Sequence, residues 1–266
     1  MKKMKMLTGI LAGLMLCVAA AGCGGNSGSG SGSGSSQKTA EKKELVVGTN
    51  PSFAPFEFTD QKDGKIQGFD IDLINALAKK AGYTTVNIKS IAFDGLIPSL
   101  EAGNIDVSIT GMSITDERKK KVNFTDPYYE SGLMAVVKKD NTAINGLDDL
   151  KGKTIAVQLG TTGAKYAESI EGAKVKTFDS SDLACLELKN GGADAVISDL
   201  PVLQYFLKKG GSAYAKSVGT PKKGDFYGIA TAKKNKELCD KLNKALAEMK
   251  KDGEYQKIYD KWFKAE

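Results

Sequence analysis

From Glu44 onward the chain alternates short apolar runs with helical segments, and near residue 133 the alternation begins a second time. Leu45-Val46-Val47-Gly48 reads as a short buried strand. Gly68-Phe69-Asp70-Ile71-Asp72 leads into a helix with apolar Leu73, Leu77, Ala78 and Ala81, closed by Gly82. Asp70 and Asp72 fall near its start, where carboxylates complement the helix dipole. Ile97, Leu100 and Ala102 suggest a further short helix, and Ile105 to Thr110 a second strand. In the second run, Leu133–Val137 and Thr154–Val157 read as strands, and Gly160-Thr161-Thr162-Gly163 turns into a helix over Ala164–Ser169. Val175–Phe178 and Ala193–Ile197 read as further strands. An amphipathic helix, Glu237–Lys251, carries Leu238, Leu242, Leu246 and Met249, and Tyr255–Phe263 follows it. Repeated strand–helix units imply α/β layers. Two such runs in about 220 residues imply two lobes, and the pattern alone leaves open whether one is inserted into the other.

The first 43 residues are read apart from the fold. Lys2, Lys3 and Lys5 form a positive start, and Leu7 to Ala21 is an apolar run too short for a typical membrane span. It ends in Ala20-Ala21-Gly22-Cys23, which resembles the lipobox of bacterial lipoproteins. That resemblance implies a signal peptide over 1–22 and lipidation of Cys23 as the new first residue, holding the protein to the membrane. Cys17 is the competing cysteine, but Leu16 before it is too large for a small-residue cleavage site. Residues 23–43 are rich in Gly and Ser and cannot bury enough surface to fold. A flexible tether of that length reaches about 25 Å.

Charge and residue inventory narrow the chemistry. The formal net charge of +6 falls to +3 once Lys2, Lys3 and Lys5 leave with the signal peptide. Arg118-Lys119-Lys120-Lys121 then reads as solvated charge, and no nucleic-acid partner is expected. The chain has no histidine, which removes His-based triads and His-ligated metals. No cofactor or metal is expected. Cys185 and Cys239 lie far apart in helix-like sequence and read as two buried free thiols.

One segment carries the functional signal. Gly111-Met112-Ser113-Ile114-Thr115-Asp116-Glu117-Arg118 follows a strand, and Asn123-Phe124-Thr125-Asp126-Pro127-Tyr128-Tyr129 follows it. Ligands of open α/β sheets meet the carboxyl ends of strands. An arginine there can grip a carboxylate through two parallel charge-assisted hydrogen bonds.

Gly68-Phe69-Asp70-Ile71-Asp72-Leu73, with Leu77-Ala78 and Ala81 beyond, resembles the signature of the family 3 extracellular solute-binding proteins. These capture polar amino acids for ABC importers. Asp94-Gly95-Leu96-Ile97-Pro98-Ser99-Leu100, the Gly111–Tyr129 segment and Lys261-Trp262-Phe263 match independently, so that the resemblance covers roughly residues 44 to 263. It implies a two-lobed, type II periplasmic-binding-protein-like α/β fold with two crossing hinge strands. Lobe 1 would span 44–130 plus 227–266 and lobe 2 131–226, with crossings near Ser131-Gly132 and Gly224-Asp225-Phe226. The implied partners are an amino-acid ligand, an ABC transporter permease and, through the lipid anchor, the outer face of the cell membrane.

The resemblance also assigns a pocket. Arg118 would grip the α-carboxylate with the Ser113 N–H and the Gly160–Gly163 turn, including Thr161 and Thr162. Asp199 would take the α-ammonium with the Gly111 carbonyl and the Ser113 hydroxyl. Phe53 and Phe93 would wall the ligand's side chain, and Asn50 and Gln158 would face its distal end. Relatives that take cations often have aspartate at the Asn50 position. Asn50 with Gln158 therefore favours glutamine, with arginine or another basic amino acid as the alternative, for which Glu57 or Asp94 would compensate. An exported dehydratase using Asp199 or Glu57 as its acid is the rival enzyme reading, set aside because no dedicated acid–base pair is visible. A sensory input module is the third reading.

Overall fold

A computed structural model describes residues 43–264. The expected signal peptide, Cys23 and the expected tether up to residue 42 lie outside the described residues. Two five-stranded sheets and one small three-stranded sheet organise the rest. The first large sheet runs in the order Thr85–Ser90, Glu44–Thr49, Val107–Ser108, Ala230–Ala232, Val122–Phe124. The second runs Lys174–Phe178, Thr154–Gln158, Ala195–Asp199, Tyr129–Lys138, Ala215–Tyr227. In each, three parallel strands are followed by two antiparallel additions. The first sheet takes strands from 44–124 and again from 230–232, whereas the second uses 129–227. The chain thus leaves the first sheet, completes the second and returns, which the periodicity had left open.

The two inner parallel strands of the second sheet are buried along their length because helices cover both faces, whereas the edge strand Lys174–Phe178 is largely exposed. Residues 155–158 and 195–199 are buried without alternation. In the first lobe the helix Phe69–Lys80 buries Phe69, Ile71, Leu73, Ile74, Leu77 and Ala78. Its exposed-side Asp72 accepts bonds from Lys261 Nζ and Trp262 Nε1, both at 2.7 Å. These hold the terminal helix Glu254–Phe263 against it. Phe56, Tyr129 and Tyr259 fill the gap with Phe263 in tilted and edge-on ring contacts.

Gly68 sets the entry to that helix. Its φ of 141° lies outside the ordinary range of L-residues, and a Cβ there would stand 2.0 Å from the Phe56 carbonyl oxygen. Gly68→Ala is expected to lower stability by about 3 kcal/mol or more, and chemical denaturation measures it.

Several elements differ from their expected extents. The expected strand Ile105–Thr110 pairs only over Val107–Ser108. Beyond it, Thr110 Oγ1 accepts the Asn50 N–H and Asp70 accepts the Gly111 N–H, so side chains replace the ladder. The strand ending near the cleft is Ala195–Asp199 rather than Ala193–Ile197, which makes Asp199 its last residue. Cys185 and Cys239 are buried free thiols, as expected.

Candidate functional site

The loops at the carboxyl ends of the two sheets face each other across a narrow cleft. One nearly filled cavity, with about 10 Å³ of free volume, lies between them, so the two faces stand almost in contact. Asn50, Phe53, Phe93, Gly111, Ser113 and Arg118 line it from the first sheet's side, and Gln158, Thr161, Thr162 and Asp199 from the second's. All ten sequence candidates therefore meet in one place. Glu57 and Thr110 also line it. Glu57 was held in reserve as a partner for a cation. Thr110 was missed, although a polar residue at the end of a buried apolar run is a signal for it.

Arg118 stands on the helix Asp116–Lys121, whose first turn is capped by Thr115 Oγ1 accepting the Arg118 N–H at 3.2 Å. Its Nη1 donates to the Ser113 carbonyl at 2.7 Å and its Nη2 to the Gly160 carbonyl at 2.9 Å. The guanidinium carbon lies 5.2 Å from the Phe93 ring centroid. Two backbone carbonyls and a ring thus aim the group, and three of its five N–H donors remain for a ligand. Burial pulls its pKa down to about 10, with Asp199 and Asp225 opposing the shift. It stays protonated at neutral pH.

Asp199 occupies the cap position of the helix Leu200–Lys208, yet its side chain makes no capping bond. It turns instead to Ser131, whose hydroxyl donates to Oδ1 at 3.2 Å and accepts from Tyr227 Oη at 3.1 Å. Burial drives its pKa up to about 7 and the neighbouring Asp225 adds to this, while the Tyr227 and Ser131 hydroxyls and Arg118 pull it down. A carboxyl in this state ionises readily when a cation arrives.

Gly111 has φ 55°, and a Cβ would fall 2.6 Å from the Phe53 ring. The aromatic wall can come this close only because the residue is glycine. Across the cleft Thr161 Oγ1 caps its helix through the Ala164 N–H at 3.1 Å and donates to the Gln158 carbonyl at 2.8 Å. Asn50 and Gln158 are joined directly, Gln158 Nε2 donating to Asn50 Oδ1 at 3.0 Å. Gln158 Oε1 accepts from Ser181 and Asn50 Nδ2 donates to the Ile91 carbonyl.

Contacts at the rim continue the closure. Lys165 and Glu117 form an ion pair, and Phe58 lies 6.1 Å from Tyr205, ring to ring. Asp94, the other residue held in reserve, approaches Gly160 but does not line the cavity.

The sequence profile of the bacterial extracellular solute-binding proteins, family 3, matches residues 45–265. An arginine-binding periplasmic protein of Mannheimia haemolytica is 42% identical over 228 residues, covering 84% of this chain and 92% of that protein. Among solved structures, an ancestral arginine-binding protein bound to arginine is 52% identical with a TM-score of 0.80, covering 83% of this chain and 98% of that one. An ancestral arginine-binding protein bound to glutamine is 51% identical with a TM-score of 0.77, covering 83% and 97%.

Proposed function

We propose that this chain, which belongs to the family 3 bacterial extracellular solute-binding proteins, captures a polar L-amino acid between its lobes for an ABC importer. The observation that carries this reading is one buried cleft with a guanidinium on one face and a carboxyl on the other. An α-amino acid zwitterion needs that pair of poles. Arg118 takes the α-carboxylate, assisted by the Ser113 N–H and the Thr161–Thr162 turn. Asp199 takes the α-ammonium with the Gly111 carbonyl and the Ser113 hydroxyl. A ligand touching both faces stabilises the closed form by its differential contacts. We take the lobes as 44–130 plus 227–266 and 131–226, in keeping with the strands each sheet draws on.

For the ligand we place arginine first. Two carboxyl-bearing residues, Glu57 and Asp199, line the cavity against the single cation Arg118. Phe53 and Phe93 offer ring faces to its stem, and the oxygens of Asn50 and Gln158 can accept from a guanidinium. The Mannheimia relative and the arginine-bound ancestral protein support this order. Glutamine is the second reading, favoured by the Asn50–Gln158 amide pair and by the ancestral protein bound to glutamine. A lipid anchor at Cys23 and a tether over 23–43 would keep the lobes near the permease.

A thermal-shift screen against the common amino acids tests the assignment. At 100 times its Kd a ligand stabilises by about 2.7 kcal/mol, so arginine is expected to give the largest rise in Tm. A larger rise with glutamine would reverse the order, and no rise with any amino acid would remove the reading.

A further inference from the structure

Beneath Gly111 two carboxyl groups are buried without a cation to meet them. Glu57 stands on the strand Glu57–Thr59 and Asp70 in the first turn of the helix Phe69–Lys80, both fully excluded from solvent. Neither takes part in an ion pair among the described residues. Thr110 Oγ1 donates to Glu57 Oε1 at 2.8 Å. Asp70 Oδ2 accepts the Gly111 N–H at 2.9 Å and the Tyr128 hydroxyl at 2.8 Å. One oxygen on each group, Glu57 Oε2 and Asp70 Oδ1, is left with no donor. The adjacent residues Thr110 and Gly111 bring the two carboxyls together, and the charge of Asp70 bears on Glu57.

Two ionised carboxylates cannot share a dry site without strong repulsion. Buried acceptors without donors are also costly. One proton between the groups relieves the repulsion and supplies the donor that neither has. The donors around Asp70, namely Tyr128 and Gly111, favour its ionised form, whereas burial and Asp70's charge favour the neutral form of Glu57. The proton therefore sits on Glu57. Tyr128, held neutral by burial, is the other titratable group at the pair. Arg118 and Asp199 are the charged groups across the cavity.

The pair is wired to both ends of the pocket. Through Asp70 and Tyr128 it holds the Gly111 N–H, at 2.9 and 3.1 Å. These bonds fix the plane of the Thr110–Gly111 peptide and so anchor the backbone at Gly111. Through Thr110, whose hydroxyl donates to Glu57 and accepts the Asn50 N–H at 3.0 Å, it also holds Asn50. We propose that Glu57 and Asp70 share one proton, and that this singly charged pair is a positioning element of the ligand site. It orients Gly111 and Asn50 and keeps one negative charge beneath the pole where the ligand's ammonium sits. The positioning role rests on the amino-acid reading above, and the shared proton does not.

Two measurements on the full chain test it. An infrared difference spectrum of wild type minus Glu57→Gln at pH 7 isolates Glu57 from Asp199 and is expected to show the stretch of a protonated carboxyl. An ionised carboxylate in its place would overturn the shared proton, whatever the protein binds. By calorimetry with L-arginine, Glu57→Gln, which can still donate to Asp70, is expected to weaken binding less than the uncharged double variant does. The uncharged double variant Glu57→Gln/Asp70→Asn is expected to bind about 30-fold more weakly or worse. A double variant that binds like wild type would overturn the positioning role. Wild type that binds no amino acid would instead remove the reading of the site, leaving the infrared result to decide the pair.

Discussion

Replacing Arg118 with alanine is expected to weaken L-amino-acid binding by about a thousandfold, or about 4 kcal/mol, because two charge-assisted hydrogen bonds are lost together. The ligand's carboxylate would enter a closed, largely dry cleft with only N–H groups and hydroxyls to meet it. Truncation also frees the Ser113 and Gly160 carbonyls that the guanidinium now ties across the cleft at 2.7 and 2.9 Å. Arg118→Lys should recover only part of the loss, since a single ammonium cannot reproduce the planar fork. Stability without ligand should change far less than affinity, because removing a largely desolvated cation offsets the lost bonds. Calorimetry on wild type and both variants checks this, and an affinity for Arg118→Ala within tenfold of wild type would exclude a carboxylate role for Arg118.

Asp199→Asn is expected to cost binding about a hundredfold or more while raising the stability of the unliganded protein. The two effects have one cause. Burial raises the Asp199 pKa to about 7, so between the unfolded value near 3.8 and about 7 the native state holds a proton that the unfolded state releases. Stability from this group is therefore greatest at low pH and declines as pH rises through that window. Asp70, raised to about 6 by burial, acts in the same direction. Binding runs the opposite way, because the ammonium requires the ionised form. Affinity should fall about tenfold per pH unit below 7, to about a hundredfold by pH 5. Near pH 6 binding should release close to one proton, visible as a dependence of the calorimetric heat on buffer ionisation enthalpy. In Asp199→Asn this proton release should vanish. A wild type whose affinity is flat from pH 5 to 8 would contradict the assignment.

Much of this site was legible because its chemistry is concentrated in loops with distinctive residue types. Arg118 after a buried run, the Gly-Thr-Thr-Gly turn and Asp199 could each be named from the chain, and they line one cavity. Asp199 could also be read as a helix cap. Backbone position agrees with that reading, but the side chain goes to Ser131, a partner 68 residues away. Glu57 and Thr110 were harder, because their role depends on Asp70 and Gly111 meeting them from other elements.

The large elements followed from hydrophobic periodicity, whereas the strand Ala215–Tyr227 did not. Its sequence, with Lys222, Lys223 and Gly224, alternates poorly and is mostly exposed, and it becomes a strand through pairing with Tyr129–Lys138. The short sheet formed by Ser52–Phe53, Glu57–Thr59 and Ile66–Gln67 has too few residues per strand to show a period. Which lobe contains the return of the chain is a matter of long-range pairing, and local patterns do not carry it.

The most direct test of the two-pole cleft is a crystal structure of the protein with L-arginine. The ligand is expected between the two sheets, its carboxylate paired with the Arg118 guanidinium, its ammonium against Asp199 and the Gly111 carbonyl, and its side chain between Phe53 and Phe93. A ligand bound with its carboxylate away from Arg118, or outside the cleft lined by Ser113 and Asp199, would contradict the account.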